Sequence, residues 1–68
     1  MEEIKIETEY IKADAFLKFA NVCATGGHAK LMIEEGEVLV NDKVCLQRGK
    51  KLRPGDVVRV MGQTFRIV

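Results

Sequence analysis

Three short segments of this chain contain the residues best suited to hold a ligand: Thr25–Lys30, Gly36–Asn41 and Arg48–Leu52. In the first segment, Gly26 and Gly27 follow a predicted helix N-cap. Bare N–H groups at a helix N-terminus can approach a phosphate closely, aided by the helix dipole. The last segment adds a run of positive side chains. Together these features indicate a surface for a phosphate-rich ligand.

The glycine pair has a second explanation. Glycine costs up to about 1 kcal/mol relative to alanine at a helical position, so each of the two needs a reason. A tight turn between two helices that simply needs glycine accounts for Gly26 and Gly27 as well as a phosphate contact does. The pair alone therefore leaves both interpretations open.

The distribution of charge says more than its sum, which is only +1. Residues 1–10 carry four acids and one lysine, and residues 31–40 carry three acids and no base. Residues 43–53 contain five cationic side chains and no acid. Separated blocks of this kind predict a two-faced surface with one side suited to a polyanion, although a solvated basic loop would look the same.

Catalytic and metal-binding alternatives lack the residues they need. The phosphate-loop pattern fails because Lys51, not a hydroxyl, follows Gly49 and Lys50. His28 is the only imidazole, so a nucleophile–base pair with Cys23 has no third group to orient it. A zinc site built from the two cysteines and His28 would be one ligand short. We therefore expect no enzyme, no cofactor and no metal.

The two cysteines, Cys23 and Cys45, each lie among apolar neighbours, which favours buried, reduced thiols. A bridge between them stays possible, but we expect no secretory leader that would bring the chain to an oxidising compartment. No apolar run approaches the roughly 20 residues of a membrane span. We expect a cytoplasmic protein with no membrane partner.

Two helices are predicted in the first half of the chain. Ala13, Phe16, Leu17 and Ala20 follow the i, i+3, i+4, i+7 pattern of one buried helical stripe. Thr25 is the predicted N-cap of the second helix. The buried residues of this helix are expected to be Ala29, Met32 and Ile33, and Gly36 is expected to form its left-handed C-terminal cap.

The rest of the chain is predicted to be β-structure. Residues 1–8 alternate as a short strand at a sheet edge. Residues 38–46 form a hairpin about Asn41 and Asp42, which tolerate positive φ. Residues 54–56 form a turn, and residues 57–60 and 64–68 form a second hairpin about a turn at 61–63.

The order of four features along the chain resembles the S4 RNA-binding domain. These features are the two helices, the Gly36–Asn41 segment, the basic loop (Arg48–Leu52) and the Gly55–Val58 segment. The chain is most similar to the stand-alone bacterial type, the YaaA/YbcJ-like small proteins, in which Thr-Gly-Gly-x-Ala-Lys and Arg-Gly-Lys-Lys-Leu are typical. The likeness runs from about Ile11 to Val60. It implies an α+β fold with two short packed helices, small antiparallel β-hairpins and a short N-terminal strand, in one domain over residues 1–68.

The resemblance also implies a non-catalytic module that binds structured RNA, such as ribosomal RNA, in ribosome assembly or translation quality control. We expect a monomer. The residues expected to contact RNA are Lys12, Thr25, Gly26, Gly27, Lys30, Arg48, Lys50, Lys51 and Arg53. Two positions depart from the family pattern: His28 replaces the usual Glu of stand-alone members, and Gly26 replaces an Arg of many longer members. Affinity is therefore expected to depend more on backbone N–H groups.

Two other classes of function are alternatives to RNA binding. A protein adaptor would dock a basic partner on the acidic residues Glu34, Glu35 and Glu37. A small sulfur or acyl carrier of β-grasp type would end in an exposed Gly-Gly tail, whereas this chain ends as a predicted strand. The few aromatic residues offer no obvious platform for stacking bases, which favours structured RNA over single strands.

Overall fold

The computed structural model describes every residue from Met1 to Val68 and contains two helices and seven short strands. In chain order they are β1 (Glu2–Ile4), β2 (Ile11–Lys12), α1 (Ala13–Phe19), α2 (Gly26–Glu34), β3 (Val38–Val40), β4 (Lys43–Val44), β5 (Lys51–Leu52), β6 (Val57–Val60) and β7 (Gln63–Ile67). Five strands form one sheet in the order β1-β7-β6-β3-β4, and β2 pairs with β5 in a separate two-stranded ribbon. The α+β prediction is confirmed.

Helix α1 buries the stripe that its periodicity predicts. Ala13, Phe16 and Leu17 are buried, whereas Ala20 lies just past the helix end and is half-buried. The Phe16 ring meets the Phe65 ring of β7 edge-on, with ring centroids 5.7 Å apart. This contact attaches the helix to the sheet, because edge-to-face aromatic pairs stabilise beyond the area that they bury.

Helix α2 begins and ends at the residues that the sequence predicts. The Thr25 hydroxyl accepts a hydrogen bond from the His28 N–H, and Gly36 adopts φ +77° after the last turn. The N–H groups of Gly36 and Glu37 return to the carbonyls of Ile33 and Met32, which is a Schellman cap. Both ends of α2 are therefore fixed by local hydrogen bonds.

The two predicted hairpins are present with small changes in their limits. Asn41 and Asp42 both have positive φ, as a two-residue hairpin turn requires. The second turn consists of Met61 and Gly62 alone, also at positive φ. Gln63, which was predicted to belong to the turn, is instead the first residue of β7. The return strand β4 is also shorter than the predicted residues 43–46.

The pairing between hairpins was not predicted. Antiparallel pairing of β3 with β6 joins the two hairpins into one sheet. Strand β1 lies at the sheet edge, as predicted, but it runs parallel to β7, so the sheet is mixed. One face of this sheet carries buried residues that share a core with the helices; the other, outer face carries exposed residues such as Arg59.

The core consists of 15 buried residues, all hydrophobic. Cys23 and Cys45 belong to it as free thiols, so the burial predicted for them is confirmed. The Cys23 thiol donates to the Met32 thioether, and the Cys45 thiol donates to the Gln47 carbonyl. Neither helix has the length and apolar character that crossing a bilayer would require.

Candidate nucleic-acid interface

The basic loop is fixed at the N-terminus of α1 by main-chain hydrogen bonds. The Ala13 N–H donates to the Lys50 carbonyl at 2.9 Å, and the Asp14 N–H donates to the Arg48 carbonyl at 3.1 Å. Lys12, at the N-cap, supplies no side-chain cap of its own. Loop carbonyls therefore satisfy helix donors that would otherwise lack partners, and the exposed side chains of Arg48 and Lys50 are held beside the helix start.

The ribbon of β2 and β5 collects a second group of charges. Ile11 lies opposite Leu52, and Lys12 lies opposite Lys51. Leu52 is buried in the core, and Ile11 is packed against it. Because side chains alternate along a strand, Lys12 and Lys51 occupy the other, exposed face of the ribbon. The same alternation places Arg53 on that face.

Tyr10 joins this face of the ribbon, which sequence reasoning missed. The Lys51 Nζ atom lies 4.8 Å from the centroid of the Tyr10 ring, and the Arg53 Cζ atom lies 5.8 Å from it. Both distances are within the range of cation–π attraction. The signal in the sequence was the alternation of Tyr10-Ile11-Lys12 and Lys51-Leu52-Arg53, which becomes informative only once the two segments are known to pair.

The N-terminus of α2 supplies unobstructed backbone. Gly26 and Gly27 are exposed first-turn residues, and neither has positive φ. A Cβ atom built on either glycine would meet nothing within 4 Å. The interpretation that a tight turn needs glycine here is therefore wrong, because alanine would fit both conformations. Lys30 lies one turn beyond Gly26 on the same side of the helix and is exposed.

A shallow groove joins the two helix starts. It has a volume of about 180 Å³ and is lined by Asp14, Ala15, Lys18 and Gly26. Lys18 was not among the predicted contacts, yet α1 places it in the same groove as Gly26. Its signal in the sequence was its position one helical turn after Asp14. The Asp14 carboxylate is partly satisfied already, because its Oδ1 atom accepts from the Ala15 N–H at 2.7 Å.

The cations of this surface have no carboxylate partners. The one ion pair of the structure joins Arg59 Nη1 to Asp42 Oδ1 at 3.3 Å, and Arg59 lies on the outer face of the five-stranded sheet. All the predicted contact residues are exposed. The structure thus brings Lys12, Lys51 and Arg53 together on the ribbon and Arg48 and Lys50 beside α1, with Lys30, Gly26 and Gly27 along the start of α2.

A hydrogen-bond network fixes the turn that follows the ribbon. The Asp56 carboxylate accepts from the Arg53 N–H at 2.8 Å and from the Asn41 Nδ2 atom at 3.0 Å. The Asn41 side-chain oxygen in turn accepts from the Val57 N–H at 3.0 Å. The Asn of the first hairpin turn and the Asp of the Pro-Gly-Asp turn therefore act together to position Arg53.

The residues considered for other functions lie elsewhere. Cys23 is buried and His28 is exposed, and no hydrogen bond links them. Burial, together with the negative charge of Glu37, raises the pKa of the Cys23 thiol, which disfavours the thiolate that a nucleophile needs. The acids proposed for an adaptor, Glu34 and its neighbours, are exposed at the C-terminal end of α2, away from its glycine-rich start.

Comparison with known proteins identifies the family. The model of the S4 domain matches residues 4–68, a longer segment than the likeness from Ile11 to Val60 found in the sequence. The additional residues include Phe65 and Ile67, which belong to the same core. The chain is 48% identical over 66 residues to a protein of Bacillus subtilis (strain 168) named probable ribosome maturation protein RlbA, covering 96% of this chain and 93% of that protein. A match that spans both chains almost completely fits the stand-alone type, and this protein belongs to the S4 domain family.

Proposed function

We propose that this protein is a non-catalytic module that binds structured RNA through the helix starts, the basic loop and the exposed face of the ribbon. The RNA is ribosomal, and the protein acts during ribosome assembly in the cytoplasm. The naming of its relative from Bacillus subtilis as a probable ribosome maturation protein supports this choice of RNA.

The observation that carries the proposal is the glycine pair at the start of α2. Two residues that destabilise a helix occupy positions where alanine would fit and where nothing covers the backbone. Open N–H groups at a helix N-terminus suit a phosphate oxygen that comes into direct contact with the chain. A methyl group at either position would stand between the backbone and such a ligand.

The surrounding charges suit an extended polyanion better than a single phosphate. Lys12, Lys51 and Arg53 lie on the ribbon, and Arg48 and Lys50 lie beside α1, all exposed and free of carboxylates. Phosphate contacts of this kind give affinity that falls steeply with salt. We expect this surface to prefer structured RNA to duplex DNA, because proteins recognise folded RNA by its shape and its 2′-hydroxyl groups.

The test is a salt-series titration of the purified protein against refolded, protein-free ribosomal RNA, with duplex DNA of equal length as competitor. We expect binding that weakens strongly as salt increases and that resists the DNA. Absence of binding at low salt would refute the proposal and favour a protein partner on the acidic end of α2.

One double variant connects that test to the glycines. Gly26→Ala with Gly27→Ala should stabilise the protein by up to about 1 kcal/mol per site, because helix propensity improves. The same variant should bind RNA more weakly. Charge-matched comparison is unnecessary here, since no charge changes. RNA affinity that survives in the stabilised variant would remove the helix start from the site.

A monomer is sufficient for this surface, because one chain supplies all its parts. Light scattering after size-exclusion chromatography should give the mass of one chain, with and without RNA fragments. A dimer in solution would contradict this part of the proposal.

A further inference from the structure

Tyr10 lies beside cationic side chains that have no other interaction partner within the protein. Its ring is half-buried at the edge of the ribbon, with Lys51 and Arg53 both within cation–π range. Neither cation makes an ion pair, and neither donates a side-chain hydrogen bond within the protein. Lys12, opposite Lys51, adds a further positive charge to the same face.

Three neighbouring cations repel one another, and long side chains lose conformational freedom when a ligand fixes them. A carboxylate beside them would reduce both costs, but it would also compete with phosphate for the same charges. An aromatic ring attracts cations through its quadrupole and leaves their net charge unchanged. It can therefore orient Lys51 and Arg53 before RNA arrives without neutralising them.

We propose that Tyr10 is a positioning residue of the RNA site, whose ring holds Lys51 and Arg53 in place for phosphate contact. This inference rests on the proposed RNA-binding function. It assigns a role to an aromatic residue whose place beside these cations depends on the pairing of β2 with β5. It also explains why this cluster of cations needs no acidic partner.

The first experiment compares three variants in the titration against refolded ribosomal RNA. Tyr10→Phe keeps the ring and should bind like the wild type. Tyr10→Leu keeps an apolar side chain without a ring and should bind about threefold more weakly, because the freed Lys51 and Arg53 side chains would lose more conformational freedom when RNA binds. Tyr10→Glu should bind more weakly than Tyr10→Leu, because its carboxylate pairs with the cations and neutralises them.

A double-mutant cycle separates positioning from direct stacking on a base. In a protein that also carries Lys51→Ala and Arg53→Ala, Tyr10→Leu should have no further effect on affinity. An undiminished effect in that background would overturn the inference in favour of direct contact between Tyr10 and RNA. Equal affinity of Tyr10→Leu and the wild type would also overturn it.

A measurement without RNA tests the placement itself. The ε-methylene protons of Lys51 should show an upfield ring-current shift in NMR spectra of the wild type and of Tyr10→Phe, and none in Tyr10→Leu. Absence of the shift in the wild type would overturn the inference about Tyr10, but it would leave the proposed RNA-binding function unaffected. A wild type that shows the shift but binds no RNA would instead overturn the proposed function, and the role of Tyr10 in binding with it.

Discussion

Lys12 lies directly opposite Lys51 across the antiparallel pair of β2 and β5, so two positive side chains share neighbouring places on one exposed face. Like charges directly opposite each other destabilise a pair of strands. No acid forms an ion pair with either lysine. The isolated protein therefore carries a repulsion that a bound polyanion would relieve.

This relationship predicts opposite effects of one substitution on stability and on binding. Lys12→Ala should leave the free energy of unfolding unchanged or raise it by a few tenths to about 1 kcal/mol, because the repulsion disappears. Its affinity for ribosomal RNA should fall, and the slope of log affinity against log salt should decrease by about one. Urea unfolding and the salt-series titration measure the two effects.

Arg59→Ala is the charge-matched control for that experiment. Arg59 is exposed and lies on the outer face of the sheet, where its guanidinium pairs with Asp42. Its removal should leave RNA affinity unchanged and cost at most about 1 kcal/mol of stability, as is usual for exposed ion pairs. A loss of affinity equal to that of Lys12→Ala would show that net charge alone governs binding.

Charge reversal in the basic loop should abolish most binding without unfolding the protein. Lys50→Glu with Lys51→Glu should weaken RNA binding more than about tenfold at low salt, because the two proposed phosphate contacts would become repulsive. The fold should persist, since α1 is capped by the main-chain carbonyl of Lys50 and both side chains are exposed. Lys50→Arg with Lys51→Arg keeps the charge and serves as the control. Unchanged affinity in a folded double reversal would place the site elsewhere.

The network about Asp56 predicts a stability effect from an exposed turn. Asp56→Ala removes the acceptors of the Arg53 N–H and of the Asn41 amide, and it should cost about 1–3 kcal/mol at about 0.5–1.5 kcal/mol for each hydrogen bond. Asp56→Asn keeps a single acceptor oxygen and should lose about half as much. The urea-unfolding midpoint measures both changes, and a wild-type midpoint for Asp56→Ala would contradict the structural role of the network.

Cys23 predicts how stability depends on alkaline pH. Burial, together with the charge of Glu37, raises the pKa of its thiol, so the folded protein keeps a proton that the unfolded chain releases. The resulting stabilisation is complete below the pKa of an unfolded cysteine, about 8.5, and is lost progressively as pH rises above it. The unfolding free energy of the wild type should therefore fall more steeply above that pH than that of Cys23→Ala. Parallel curves for the two proteins would contradict the prediction. Glu37→Gln removes the smaller of the two causes, so it should make the fall in unfolding free energy with pH slightly less steep than in the wild type.

Features that depend on neighbours in the chain were predictable from the sequence. The buried stripe of α1, the Thr25 cap, the Gly36 cap and the hairpin turn at Asn41 and Asp42 all follow from local spacing and backbone preference. The charge of the basic loop was equally visible. These features sufficed to suggest the S4 family, which the family match confirms.

Tertiary structure decided how these parts combine. Strands β2 and β5 have two residues each, too few for a recognisable pattern, and they are distant in sequence. Their pairing follows from burial of Leu52 in the core and from the bonds of loop carbonyls to α1. It alone brings Tyr10 to Lys51 and Lys12 to its like-charged partner. The conformation of the glycines at α2 likewise became informative only when the space in front of them was known to be open. The sequence alone thus determined the local elements, which depend on adjacent residues, and the charges, which depend on residue type. Only the long-range packing of those elements brought the charged side chains together on one surface.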